Sequence, residues 1–126
     1  MSFVRFVPLL LLALPAAAAA QSMSAESFHQ RAIALQKKGP MAIFSGGEIK
    51  LLMGEAKAAG QKSGLDRTAA IKAGQKPRYC PPPPPIRMSN TEFMAGLSAI
   101  APAERARIDM TEAMTRILAR KYPCPA

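Results

Sequence analysis

Two cysteines, one histidine and eight carboxylates are the side chains from which this chain would build a proton-transfer, nucleophilic or metal centre. Their spacing argues against all three. His29 stands beside Phe28 with nothing nearby to complete a nucleophile–base pair. No two carboxylates sit at a spacing that pairs them for general acid and base work, and Glu48 and Glu92 fall where a helix start would use them. Zinc asks for about four ligands, whereas Cys80, Cys124 and His29 lie far apart in sequence. We therefore expect no catalytic, cofactor-binding or metal residues, and a protein that is not an enzyme.

The chemistry left to the cysteines is a bond to each other. The N-terminus gives the reason. Arg5 opens a short basic start, and Phe6 to Leu14 form an apolar stretch. Pro15 and the run Ala16 to Ala20 follow, with Ala18 and Ala20 in an A-x-A pattern. That order is the order of a cleaved export signal, residues 1–20, leaving Gln21 as the first mature residue. Pro8 and Pro15 interrupt the apolar run, which is short for a membrane anchor, and no later stretch is apolar enough to span a bilayer. An even cysteine count in an exported chain argues for a disulfide between Cys80 and Cys124 over two free thiols. Closing a loop of that length removes about 4 kcal/mol of unfolded-state entropy in the simple chain treatment. We expect a periplasmic or secreted location.

The elements that must hold these residues read as helices. Ser24 caps a first helix over Glu26 to Lys38, with Phe28, Ala32 and Leu35 on one face and Gly39-Pro40 as its stop. Met41 to Phe44 is a short apolar link expected to tuck into the core. Ser45-Gly-Gly-Glu48 fits a capping box, opening a helix to about Ala59 that buries Ile49, Leu52, Met53 and Ala56. Gly60 and Gly64 then loosen the chain, and Ser63 or Asp66 starts a short helix from Leu65 to Ala73. Ser89-Asn-Thr-Glu92 is a second capping box, for a helix carrying Phe93, Met94, Leu97 and Ile100. Pro102 opens a last helix reaching Lys121, with Met110, Met114, Ile117 and Leu118 on one stripe. Arg105 with Asp109, and Glu112 with Arg116, are expected i, i+4 pairs on its outer side. No sustained alternation of period two appears. The fold class is all-α, a small bundle of four or five helices stapled by one disulfide, over residues 21–126 as a single domain.

Residues 77–87 change character. Pro81 to Pro85 is an unbroken proline run, which as polyproline II makes an extended rod of roughly 15 Å. It serves either as a ligand for a proline-binding groove or as a stiff strut between helical halves, and its position against Cys80 favours the strut.

Charge speaks to partners. The formal net charge is +9 at pH 7, and cleavage would remove only Arg5. Such a balance points to anionic envelope polymers, acidic headgroups or an acidic protein surface. Lys57, Lys62, Arg67 and Lys72 recur every five residues, a step that turns about 140° on a helix. They therefore wind around the axis, and no aromatic platform accompanies them before Tyr79, so a nucleic-acid partner is not expected. Ser45, Gly46 and Gly47 lack the Gly-Lys-Ser/Thr ending of a phosphate loop. They remain a candidate anion or partner contact at a helix start, against the plainer role of a cap. Met53, Met88, Met94, Met110 and Met114 at helical spacing read as core packing before they read as a promiscuous groove.

Tyr79-Cys80-Pro81, the capped helix from Ser89, the long final helix and the ending Lys121-Tyr122-Pro123-Cys124 resemble the Rap/Tai-like immunity proteins of type VI secretion. The resemblance covers Tyr79 to Cys124. It implies an exported helical binding protein that blocks a cell-wall amidase effector, and a homodimer as in several members. The five-proline run departs from the short turn usual there, and Met41 to Gly60 matches no motif of the family. The competing expectation is a periplasmic stress chaperone or a cationic cell-envelope-associated protein.

Overall fold

A computed structural model describes residues 23–126; residues 1–22, with the expected export signal and Gln21, lie outside the described residues. Within them the all-α class and the staple expected from the sequence are both present. The helices are α1 (Ala25–Lys37), α2 (Gly46–Lys72), α3 (Asn90–Ser98), α4 (Pro102–Arg105) and α5 (Met110–Lys121), with a 3-10 segment, Gly39–Ser45, between α1 and α2. No strand occurs among the described residues; the one β-bridge joins Ser24 to Asp109.

α1 begins and ends where its sequence signals lie. Ser24 Oγ accepts from the Ser27 amide at 3.1 Å, and Glu26 and Lys37 stand at the ends of the helix dipole that favour their charges. Gly39 takes a positive φ of 53° after the last turn, a conformation glycine adopts without steric cost. Ala25 and Phe28 are buried. The Phe28 ring meets Phe93 of α3 edge-on, with centroids 5.7 Å apart.

α2 departs from expectation. Gly60 and Gly64 do not break it, and one continuous helix of 27 residues replaces two. Glycine costs a helix interior about 1 kcal/mol. The opposite face offsets that cost, because Leu52, Ala59 and Ser63 are buried along α5, the element with which α2 makes its most extensive contacts. Ser63, expected as a possible helix start, is buried inside the helix. The capping box at Ser45 is not formed: Ser45 makes no cap hydrogen bond, and Glu48 turns instead to Arg31. The 3-10 segment already leads the backbone into α2.

That segment also corrects the expected burial of Met41 to Phe44. Met41, Ile43 and Phe44 are exposed, Phe44 by 81%. With about three residues per turn, positions 41 and 44 eclipse one another, so both point to the same side, here outward. Met53 is likewise exposed and not part of the core, whereas Met110 and Met114 are buried.

The last helix is split. Pro102 opens α4 as expected, but α4 ends at Arg105, and Asp109 caps a new helix by accepting from the Glu112 amide at 2.8 Å. The intervening backbone is used elsewhere. The Ala25 amide donates to the Ile108 carbonyl at 2.9 Å, and the Met110 amide to the Met23 carbonyl at 3.0 Å. These bonds tie the start of α1 to the start of α5 and forbid a continuous helix. The expected Arg105–Asp109 pair is therefore absent, while Glu112–Arg116 forms at 3.0 Å.

α5 is the centre of the molecule. Met110, Ala113, Met114, Ile117 and Leu118 are all buried, with Leu97 of α3 completing the core. Gly96 permits the approach of α3, since a Cβ there would lie 3.0 Å from Ile117 Cγ2.

Cys80 and Cys124 are bonded, 44 residues apart in sequence. The Cys80 amide also donates to the Tyr122 carbonyl at 2.8 Å, so the staple is reinforced by backbone. The proline run is not a straight rod. The chain bends at Pro83 and Pro84, and the Pro84–Pro85 peptide is cis. Lys121 secures its far end, donating to the Arg87 carbonyl at 3.0 Å and pairing with Glu92 at 2.7 Å.

Candidate functional site

Three helices leave a gap between them. Phe28, Ala32 and Leu35 of α1, Leu52, Met53 and Ala56 of α2, and Phe93 and Met94 of α3 line an open groove of about 210 Å³. Its lining follows from the sequence: each helix carries an apolar stripe wider than its neighbours cover. Gln36 and Asn90 are its polar members. Such a surface binds apolar side chains, and it offers no group for covalent chemistry.

The polar interior is tied up structurally. Ser63 Oγ lies 2.7 Å from Thr115 Oγ1 and 3.3 Å from the Tyr79 hydroxyl, and the Thr115 hydroxyl donates to the Thr111 carbonyl. This chain joins α2 to α5 and seats buried Tyr79 beside the staple. Arg67 holds the same tyrosine from outside, donating to its carbonyl at 2.9 Å with the guanidinium over the ring. Neither residue's part was legible in the sequence, because α2 was expected to end before Ser63.

Arg105 is the second arrangement that sequence reasoning missed. It is buried, and its Nε donates to Glu26 at 2.6 Å. One terminal nitrogen donates to the Ile100 carbonyl at 2.5 Å and to Ser98 at 3.3 Å. A cation thus closes the carbonyl end of α3, and the Arg105 guanidinium holds the Glu26 carboxyl below its ordinary range.

His29 sits at the edge of this cluster, 3.0 Å from Ser98 Oγ. Burial, and then the charge of Arg105, push its pKa below the usual histidine value. Glu48, Glu92 and Glu112 are held low by Arg31, Lys121 and Arg78 respectively. All these folded values are depressed, so the unfolded chain takes up protons first as pH falls. The histidine contribution is complete above about pH 6.5, and the carboxylate contribution above about pH 4.3; each fades below its value. Melting temperature against pH should show a plateau above about 6.5, a shallow decline beneath it and a steep one below about 4.3. His29→Asn should remove the shallow step and leave the steep one; a melting curve flat down to pH 4 would contradict the assignment.

The remaining candidates scatter. Ser45 accepts from Lys38 Nζ at 2.8 Å, and Gly46 and Gly47 are exposed, with open space where a Cβ would stand. Among the described residues no three His, Cys, Asp or Glu side chains group as a metal site. Every carboxylate has a partner. Glu55 accepts from the Met23 amide, Asp109 caps α5, and the other six pair with Arg or Lys. The surplus positive charge is therefore carried by cations without acidic partners. Lys50, Lys57 and Lys72 are among them. At about 100° per residue these three fall within roughly 60° of one another on α2. Lys57, Lys62, Arg67 and Lys72 do wind around α2 as expected, and a row of unpaired cations arises from a different subset for two reasons. Lys62 and Arg67 are taken by Asp66 and Tyr79, and the unbroken helix brings Lys50 into line with the rest.

A small all-α bundle closed by one disulfide, with an open apolar groove and a one-sided charge, is the class of protein these features define. Compared with family models, with curated proteins and with solved structures, the chain has no match. The disulfide is compatible with a protein outside the cytoplasm, and among the described residues no helix is long and apolar enough to cross a membrane.

Proposed function

We propose that the protein is an exported binding protein, periplasmic or secreted, which engages a protein partner through the groove between α1, α2 and α3. The groove carries this reading. Half-buried Phe93 and Met94 line it above buried Phe28 and Leu52, and Met53 stands exposed at its lip. Met41, Ile43 and Phe44 add exposed apolar surface on the link between the same helices. Large apolar side chains left exposed together mark an interaction surface more often than a solvated one. The resemblance of Tyr79 to Cys124 to the type VI immunity proteins supplies the narrower proposal: the partner is a cell-wall-degrading amidase effector, and the protein inhibits it, with a homodimer as one working form.

The surplus of unpaired cations favours a second reading, a cationic cell-envelope-associated protein or stress chaperone that meets many anionic partners. Affinity capture from periplasmic extract separates the two. A stoichiometric complex with a cell-wall hydrolase, whose activity falls on binding, supports the first. Met53→Glu, a change at an exposed position, should then weaken that complex by roughly tenfold or more. Salt-sensitive binding to cell-wall fragments with no stoichiometric complex would overturn it in favour of the second.

A further inference from the structure

The outer face of α2 has no task in the groove or in the core. Lys50, Lys57 and Lys72 are exposed along it and pair with no carboxylate. They span most of a helix of 27 residues, roughly 40 Å long. The acids of the same helix lie on the other side. Glu48, Glu55 and Asp66 cluster near the line of buried Leu52, Ala59 and Ser63, and each is engaged there. No acidic residue stands among the three lysines on this face, so it presents positive charge alone.

Apolar side chains flank that row. Leu51 is 44% exposed and Leu65 70%, and Ile71 is 47% exposed on the other flank. Of the exposed large hydrophobic residues among the described residues, only Ile86 lies outside α2 and the 3-10 segment that leads into it. Even Ile86 faces this helix, across an open cleft lined by Gly64, Leu65 and Thr68. The molecule thus gathers its exposed apolar surface and an unpaired cationic row on one element.

We propose that this face docks the protein peripherally on an anionic phospholipid bilayer, with the lysines at the headgroups and Leu51 and Leu65 in the interface below them. Charge complementarity selects the occupant. A second copy of the chain would set lysine rows against each other in a symmetric pairing, and a soluble anionic polymer would satisfy the lysines while leaving the leucines wet. A bilayer accepts both, as it does for basic amphipathic helices that lie on its surface.

The test uses protein recovered from the periplasm of an exporting host, sedimented with vesicles of phosphatidylcholine alone or with about one-quarter phosphatidylglycerol. Binding is expected to be strong to the anionic vesicles and to fall, on phosphatidylcholine alone, to the weak part that the leucines supply. A triple change, Lys50→Gln with Lys57→Gln and Lys72→Gln, should weaken it on the order of 100-fold. The matched change Lys76→Gln with Arg87→Gln and Arg120→Gln removes the same charge elsewhere. Equal weakening by the two sets would overturn the assignment to this face. Leu51→Ser with Leu65→Ser should abolish the part of the binding that survives high salt. If that pair changes nothing, the leucines do not enter the interface and the bilayer proposal fails. All these substituted positions are exposed, and circular dichroism confirms that the variants fold. The groove variant Met94→Glu, on α3 and away from the lysine row, should bind vesicles like the parent, which separates this result from that of the protein partner.

Discussion

Cys80→Ser should lower the melting temperature by roughly 15–30 °C. The bond closes a loop of 44 residues, and releasing it returns about 4 kcal/mol of entropy to the unfolded chain. A domain near 100 residues moves about 4–8 °C for each kcal/mol, and its whole stability is on the order of 5–15 kcal/mol. The loss falls on a particular place. Without the bond, Tyr79 is held by the Cys80–Tyr122 backbone hydrogen bond, by Ser63 and by Arg67. Both ends of the loop border the α2–α5 interface, so its fraying opens the core and not merely a tail. Thermal melts with and without reductant check this. Reduced and oxidised protein melting together would show that the staple does no structural work. Cys124→Ser should match Cys80→Ser, because each removes the same bond.

Arg105→Met should cost about 3 kcal/mol, or roughly 10–20 °C. Methionine keeps the apolar stem and removes the donors. The Ser98 and Ile100 carbonyls then lose the guanidinium at the end of α3, and a buried acceptor left unpaired costs about 1–3 kcal/mol. Glu26 loses its partner as well, so its carboxyl should titrate upward, back toward the ordinary range. That NMR titration distinguishes loss of this contact from general loosening. Arg105→Lys should recover less than half of the stability, because one ammonium cannot serve a carboxylate and two carbonyls in a planar fork. An Arg105→Met protein with unchanged melting temperature and unchanged Glu26 titration would disprove the role.

Local signals read well where the chain within a few residues supplies both partners. Ser24 and Ser89 each accept from the amide three residues on, and Met110, Met114, Ile117 and Leu118 occupy the buried stripe their spacing implied. The same logic failed at Ser45, where a capping box fits on paper. There Glu48 found Arg31 of α1 at 2.5 Å, a charged partner stronger than a backbone amide. It failed again at Gly60 and Gly64. Glycine propensity counts about 1 kcal/mol each, while burial of Leu52, Ala59 and Ser63 along α5 acts over the whole length of α2.

Of the candidate residues, the cysteine pair was legible because an even count needs only a compartment to imply a bond. The groove was not. Its lining comes from three helices, and the sequence shows which residues are apolar without showing which of them neighbours leave uncovered. The lysine row needed the unbroken course of α2 and the removal of Lys62 and Arg67 into pairs, both long-range facts.

By itself, then, the sequence determined the all-α class, the helix starts at Ser24 and Ser89, the buried stripe of α5 and the pairing of Cys80 with Cys124. All of these rest on interactions between near neighbours or on composition. Tertiary structure alone decided that α2 is one helix, that the last helix is two, that Arg105 serves Glu26 and α3, and that apolar surface stays open between α1, α2 and α3. Each of those depends on which distant groups meet. A buried contact between α2 and α5, or an arginine reaching a carboxylate 79 residues away, outweighs local propensities of about 1 kcal/mol that the sequence displays.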